Sequence, residues 1–197
     1  MRDVAKNSAP LVPTASQTVG PFFSIGLCPH NPSNLVPSSG PGRAGVVTVR
    51  GRVLDGEGQG VPDAILEIWR ADGSGKYAGA EGGCDANGVP SGFARIPTNE
   101  IGEFEFATLK PGPITGNNGE IHAPHLGVLI FMRGLLRHLV TRIYFPQEPA
   151  NEKDLVLKVV LTERRRTLIA TQTGARKNEL EWNVLLHGEA ETVFFEA

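Results

Sequence analysis

Five side chains in this sequence are the best suited to chemistry. They are two histidines three residues apart, His122 and His125, the two tyrosines Tyr77 and Tyr144, and Arg133 at the end of an apolar run. Imidazole and phenolate are metal donors. A guanidinium grips a planar carboxylate through two parallel hydrogen bonds. The spacing His122-x-x-His125 does not by itself make a metal site. On one strand, positions three apart face opposite ways, and Pro124 forbids the helix that would bring the rings to one side. The blander alternative is one loop histidine and one hydrogen-bonded core histidine. The next position sharing a strand face with His125 is Gly127, which has no side chain to offer. Tyr77 closes the glycine-rich G-S-G-K-Y and Tyr144 lies in an apolar run, so each taken singly reads as packing. Arg133, in F-M-R-G, has a surface salt bridge as its alternative role. No G-x-S-x-G, phosphate-binding loop or dinucleotide fingerprint is present. The carboxylates are scattered over turns, with no pair for acid–base work.

These residues must be positioned by the stretch 110–145. Leu126–Met132 and Leu139–Phe145 read as adjacent strands joined by R-G-L-L-R-H. The first is apolar at nearly every position, which predicts a central strand buried on both faces. Upstream, Val47, Val49 and Val53 alternate with Thr48, Arg50 and Arg52, a half-buried strand. Ala64–Trp69 is a second strand, Phe93–Ile96 a short third, and Glu103–Phe106 a fourth with both phenylalanines inward. Downstream, 155–161 is strand-like, Glu163–Leu168 a turn of possible helix, and Leu180–Leu186 and Thr192–Phe195 close the chain as strands. Strands at short spacing without a long helical period predict an all-β fold, an antiparallel β-sandwich with long loops. Residues 1–45 are rich in Pro, Ser, Gly and Asn and read as an extended N-terminal arm without regular structure. Within it, Ser16–Phe23 combines a Gly-Pro turn with two adjacent aromatics and is expected to dock on its own domain or on a partner. Residues 46–197 form the domain proper.

The 197 residues suffice for one domain with a sizeable core, and the net charge of −2 carries no polyanion footprint, which speaks against nucleic acid. Arg164–Arg166 beside Glu163 reads as a solvated face. Cys28 and Cys84 exclude a cysteine zinc site and a disulfide framework, though not a single bridge. Two reduced thiols in a cytoplasmic protein is the simpler reading. The first residues lack the apolar core of a signal peptide, and no apolar run reaches the length of a membrane span.

Several stretches, in this order, resemble the intradiol ring-cleavage dioxygenases. They are Q-T-V-G-P-F-F (17–23), the run G-R-V-L-D through G-S-G-K-Y (51–77), G-E-F-E-F-A-T-L-K-P-G (102–112), A-P-H-L-G (123–127) and T-R-I-Y-F (141–145), with a weaker tail G-E-A-E-T-V-F-F-E (188–196). The resemblance implies a prealbumin-like sandwich. Iron-bearing members hold ferric iron with two tyrosines and two histidines. By the family's motifs Tyr77 and His125 are kept, while Ile114 stands where the second tyrosine belongs and Gly127 where the second histidine belongs. The family's arginine is here His122, and its glutamine is here Arg142. Half of the donor set for a hard ferric ion is missing, and its supporting residues are changed. The resemblance therefore implies a chain with no metal and no catalytic residue of its own, with Tyr77 and His125 vestigial. Such a chain would pair in a hetero-oligomer with an iron-bearing subunit, Fe(III) and O2 chemistry residing in that partner. Its substrate would be a small dihydroxylated aromatic acid, 3,4-dihydroxybenzoate. Arg133 and the arm residues Thr18, Gly20, Pro21 and Phe22 are then expected to reach the partner's substrate site. Two rivals stand beside this reading. One is a prealbumin-like binding module without catalysis. The other is an autonomous metalloenzyme built on Tyr77, Tyr144, His122 and His125.

Overall fold

The computed structural model describes residues 12–28, 35–36, 45–78, 92–116, 118–173 and 178–196. Strand β1 (Val46–Leu54) follows from its alternation: Val49 and Val53 are fully buried, and Arg50 between them is exposed. The next strands are β2 (Ile65–Arg70), β3 (Phe93–Pro97) and β4 (Glu103–Leu109). Two-residue strands β5 (Ile114–Thr115) and β6 (Ile121–His122) pair with each other, and β7 (His125–Phe131) and β8 (Leu139–Tyr144) follow. One sheet has the order β3-β2-β7-β8 with every neighbour antiparallel. The other, the first sheet in chain order, is built on β1, with β4 antiparallel to it from Val46 opposite Leu109 to Arg52 opposite Glu103, and the β3-β2-β7-β8 sheet is the second. The inward faces of the two sheets share one core, including Val49, Leu66, Ile68, Phe106, Leu126, Val128 and Ile143. The chain is thus an all-β sandwich with few helices.

The sandwich is not wholly antiparallel. After β8 the chain makes a 3₁₀ turn at Pro149–Glu152, a short helix α2 (Leu155–Val159) and a second 3₁₀ turn at Thr162–Thr167. This excursion carries it back to the first sheet in the direction of β1, so β10 (Glu179–Glu181) and β11 (Val184–Leu185) run parallel to β1. Among the strands after β8, β9 (Thr171–Gln172) and β10 are antiparallel to each other. Trp182 separates β10 from β11, its N–H bonding Arg50 O at 2.9 Å. Gly51 is needed at this crossing, because a Cβ there would stand 1.8 Å from Trp182 O.

Four further expectations need correction. The strand-like 155–161 forms α2 because Asp154 caps it, its carboxylate accepting from Leu157 N–H at 2.9 Å, a local bond that outweighs the β-branched composition. Thr192–Phe195 is not a strand; Phe195 alone bridges Val140. The arm contains a helical turn, α1 (Phe23–Leu27), following the Gly20-Pro21 turn. β7 is buried on its inner face at Leu126, Val128 and Ile130, whereas Gly127, Leu129 and Phe131 on its outer face are only half-buried. An apolar run therefore marked an interior strand whose outer face is covered at one end only. That cover is a second small cluster of Ala123, Tyr144, Leu157, Val160 and Leu168.

Leu35, within the N-terminal 45 residues, joins the main core, and its N–H bonds Ala107 O at 2.8 Å. Cys28 is half-buried with a free thiol, which burial pushes up, and Cys84 lies outside the described residues. Among the described residues no helix is long and apolar enough to cross a membrane.

Candidate functional site

The outer face of the second sheet gathers most of the residues singled out above. In the β7–β8 ladder His125 lies opposite Tyr144, and Gly127 opposite Arg142. Residues directly opposite one another project to one side, so these four share a face. On its other edge Gly127 is paired with Trp69 of β2. His125 is 3% exposed, and its Nδ1–H donates to Ala123 O at 2.8 Å, which fixes ring and tautomer. Its ring lies 5.3 Å from that of Tyr144, centroid to centroid. Burial, aided by the positive charge of Arg142, pushes the imidazole down to about 4, so it is neutral.

Tyr144 is fully buried. Its hydroxyl donates to Asp154 Oδ1 at 3.1 Å and accepts from Arg142 Nη1 at 3.3 Å. Burial pushes this phenol far up, against the opposing charge of Arg142. Asp154 is completely buried and also accepts from Ala123 N–H at 2.8 Å. Burial alone works to raise its carboxyl, but the hydrogen bonds from Leu157, Ala123 and Tyr144, with His122 nearby, outweigh it and hold it below the ordinary range. His122 Nδ1 stands 3.6 Å from Asp154 Oδ2, and its Nε2 3.8 Å from Glu120 Oε1.

The two histidine rings lie 6.2 Å apart at 85°. They belong to different strands, β6 and β7, so the single-strand argument for opposite faces does not apply. Their nitrogens nevertheless face different groups. His122 is a half-buried strand residue rather than a loop residue, whereas His125 is the hydrogen-bonded core histidine that the alternative described.

Tyr77 enters from the loop after β2. Asp72 shapes this loop, its Oδ1 accepting from Ser74 N–H at 2.8 Å, Ser74 Oγ–H at 2.7 Å and Lys76 N–H at 3.0 Å. Gly112 N–H bonds Asp72 O at 2.9 Å, seating the loop on the segment that leads to Ile114. Gly75, at φ +81°, lies so close that a Cβ would stand 1.8 Å from Pro113 O. Burial raises the Tyr77 phenol, and Arg142 opposes it.

The donor chemistry of this face does not suit a ferric ion. Ile114 is buried alkyl and Gly127 has no side chain, while the guanidinium of Arg142 places a fixed positive charge against the remaining donors. Among the described residues no three His, Cys, Asp or Glu side chains gather as a metal site.

Arg133 and the arm lie elsewhere. Thr18 Oγ1 accepts from Gly134 N–H at 2.8 Å, so the arm docks on its own β7–β8 turn beside Arg133. Arg133 is half-exposed and bonds Asp63 Oδ2 at 3.1 Å, the salt bridge weighed above. Gly20 and Pro21 are exposed, and Phe22 is 74% exposed. A groove of about 880 Å³ runs between Gln17 and Val19 of the arm and Leu135, His138 and Phe195. His125 and Phe131 are the two ends of β7, about 20 Å apart at the rise of a strand, and Arg133 lies beyond Phe131. The arm and Arg133 are therefore at the opposite end of the strand from Tyr77, His125 and Tyr144. A larger groove, about 930 Å³, lies on the first sheet among paired charges such as Arg50 and Glu105 and contains none of these residues.

Asp154 escaped the sequence reading. Its signal was a cap: an aspartate directly before a helix-length apolar run, bonding the N–H three residues on.

A family profile described as dioxygenase matches residues 18–188. The protocatechuate 3,4-dioxygenase alpha chain of Burkholderia cepacia is 39% identical over 195 residues, covering 93% of this chain and 96% of that one. The chain belongs to the intradiol ring-cleavage dioxygenase family. The same organism's protocatechuate 3,4-dioxygenase beta chain is 30% identical over 155 residues, covering 74% of this chain and 66% of that one. Among solved structures, the dioxygenase domain of a dioxygenase–carbohydrate-binding protein fusion from Streptomyces sp. SirexAA-E superposes with a TM-score of 0.59 at 27% identity, covering 92% of this chain and all of that one, 100%. This intradiol dioxygenase homologue thus keeps the β-sandwich of that solved relative.

Proposed function

We propose that this chain is the iron-free alpha subunit of a protocatechuate 3,4-dioxygenase. It pairs with an iron-bearing beta subunit in a cytoplasmic hetero-oligomer, and the pair cleaves 3,4-dihydroxybenzoate with O2 to 3-carboxy-cis,cis-muconate, in the β-ketoadipate route of aromatic catabolism. The ring bond between the two hydroxyl-bearing carbons breaks, and ferric iron in the partner supplies the oxygen chemistry.

The observation that carries this reading is the separation along β7. The relic donors Tyr77 and His125 sit at one end, and the exposed arginine and aromatic arm at the other, about 20 Å away. Among the described residues Arg133 stands by no metal site of its own chain, and, exposed beside its surface partner Asp63, it can address another molecule's. Its guanidinium suits the ring carboxylate. Thr18, Gly20, Pro21 and Phe22 suit closing the partner's pocket against water. The prealbumin-like character of the sandwich and the arm as a partner-docking unit, 1–45, belong to the same reading.

Co-expression with the neighbouring reading frame, followed by size measurement and iron analysis, tests it. The expected result is a hetero-oligomer with one iron for each pair of chains, and an isolated chain that is colourless and inactive. An isolated chain with stoichiometric iron, a tyrosinate-to-iron band and ring-opening activity would overturn it. A chain that never co-purifies with an iron protein favours the binding-module alternative. Within the complex, Arg133→Ala is expected to raise KM for 3,4-dihydroxybenzoate about tenfold, the worth of one charge-assisted hydrogen bond, with a smaller change in kcat. An unchanged KM removes Arg133 from the site.

A further inference from the structure

Arg142 is the one feature of the relic face that its lost donors do not explain. It is half-buried on β8, paired across the ladder with Gly127 and two rungs from the His125–Tyr144 pair, the next pair on the same face. Its Nη1 donates to Tyr144 Oη at 3.3 Å, and its guanidinium carbon lies 5.9 Å from the centre of the Phe195 ring. Its charge bears on Tyr77, His125 and Tyr144, three groups of metal-ligand chemistry that include both tyrosines of the chain. Packing does not demand glycine at 127. A Cβ there would meet Trp69 Cβ at 3.6 Å, an ordinary contact. Glycine at 127 leaves the position opposite Arg142 without a side chain.

We propose that the Arg142 guanidinium is a built-in replacement for a metal cation, holding the Tyr144 hydroxyl and setting one fixed positive charge on the face that also carries His125, so that metal ions are excluded from it. Arginine suits this role because it cannot lose its charge and its planar fork serves several acceptors at once. The claim concerns this chain alone and needs neither the partner nor its activity, so its failure leaves the subunit reading untouched.

The test uses the full-length chain with cobalt(II) chloride as probe, reading the thermal midpoint and the visible absorption of bound cobalt. Arg142→Met, of similar length without the charge, is expected to lower Tm by roughly 5 °C. Arg142→Lys is expected to recover most of that loss. Cobalt is expected to leave the wild-type chain and Gly127→His unmoved. In the double variant Gly127→His with Arg142→Met, cobalt is expected to restore several degrees and to give a visible band, because ligand binding to the folded state alone stabilises it. Equal cobalt binding by Gly127→His with Arg142 in place would overturn the proposal. So would a folded double variant indifferent to cobalt. Should the double variant not fold, the lysine variant decides: one as unstable as Arg142→Met overturns the proposal, and one near the wild type upholds it.

Discussion

Replacing Asp154 by alanine is expected to lower the unfolding free energy of the chain by about 3–5 kcal/mol, the range for removing one member of a buried charged network. The carboxylate is wholly shielded from solvent and accepts from three donors: Ala123 N–H, Leu157 N–H and the Tyr144 hydroxyl. Each donor left buried without an acceptor costs about 1–3 kcal/mol, and loss of the α2 cap is part of that sum rather than an addition to it. The consequence spreads beyond the helix, since Asp154 ties α2, the entry to β7 and the end of β8 to one point. For a domain of this size the loss corresponds to a Tm lower by roughly 10 °C. Asp154→Asn keeps one acceptor oxygen and is expected to lose about half as much. Denaturant unfolding of the three chains measures this. A loss below about 1 kcal/mol for the alanine variant would show that the network does not hold the second cluster together.

The second large effect is a loss of stability on mild acidification, traced to His125. Its folded value of about 4 lies below the ordinary 6.5. The unfolded chain therefore binds a proton over that interval while the folded chain does not. The sign follows: the contribution is fully present above pH 6.5 and is lost as pH falls towards about 4. It amounts to about 3 kcal/mol over the interval, at about 1.4 kcal/mol per unit. Asp154 contributes in the same direction at lower pH, because its folded value is depressed below 3.8 and its share is lost only below that point. The two groups are separable for this reason. Unfolding free energies at pH 7, 6, 5 and 4.5, compared with His125→Asn, check the claim. The wild type is expected to lose stability over this range while the variant stays nearly flat. Parallel curves for the two chains would assign the acid sensitivity to other groups.

Much of the sandwich is legible in the sequence because a strand half-buried in a sheet repeats every two residues. Val49 and Val53, and Phe104 and Phe106, follow that period and fall where it puts them, while the β7–β8 pair is legible instead as two apolar runs joined by a short turn. Legibility fails where a single local bond outweighs composition. Residues 155–161 have a strand's composition, yet one carboxylate bonding Leu157 N–H makes the segment a helix. It also fails for strand direction. Nothing in the period of β10 or β11 says that they run with β1 rather than against it; the route of the preceding excursion decides that. The site divides in the same way. That positions 114 and 127 carry no donor side chain is visible in residue types. The pairing of Arg142 with Gly127, and the seating of Tyr77's loop against Pro113, required the fold.

The sequence by itself determined what this face cannot do: an alkyl side chain and a bare glycine donate nothing to a metal, whatever the fold around them. It also determined the family, through ordered motifs running over most of the chain. Only the tertiary structure decided what stands there instead and how the parts are separated. Whether Arg142 lies across from Gly127 and Tyr144 across from His125, and whether Arg133 lies far from His125, depend on strand register and strand length, and a one-residue slip in register would move the β8 side chains to the other face of the sheet.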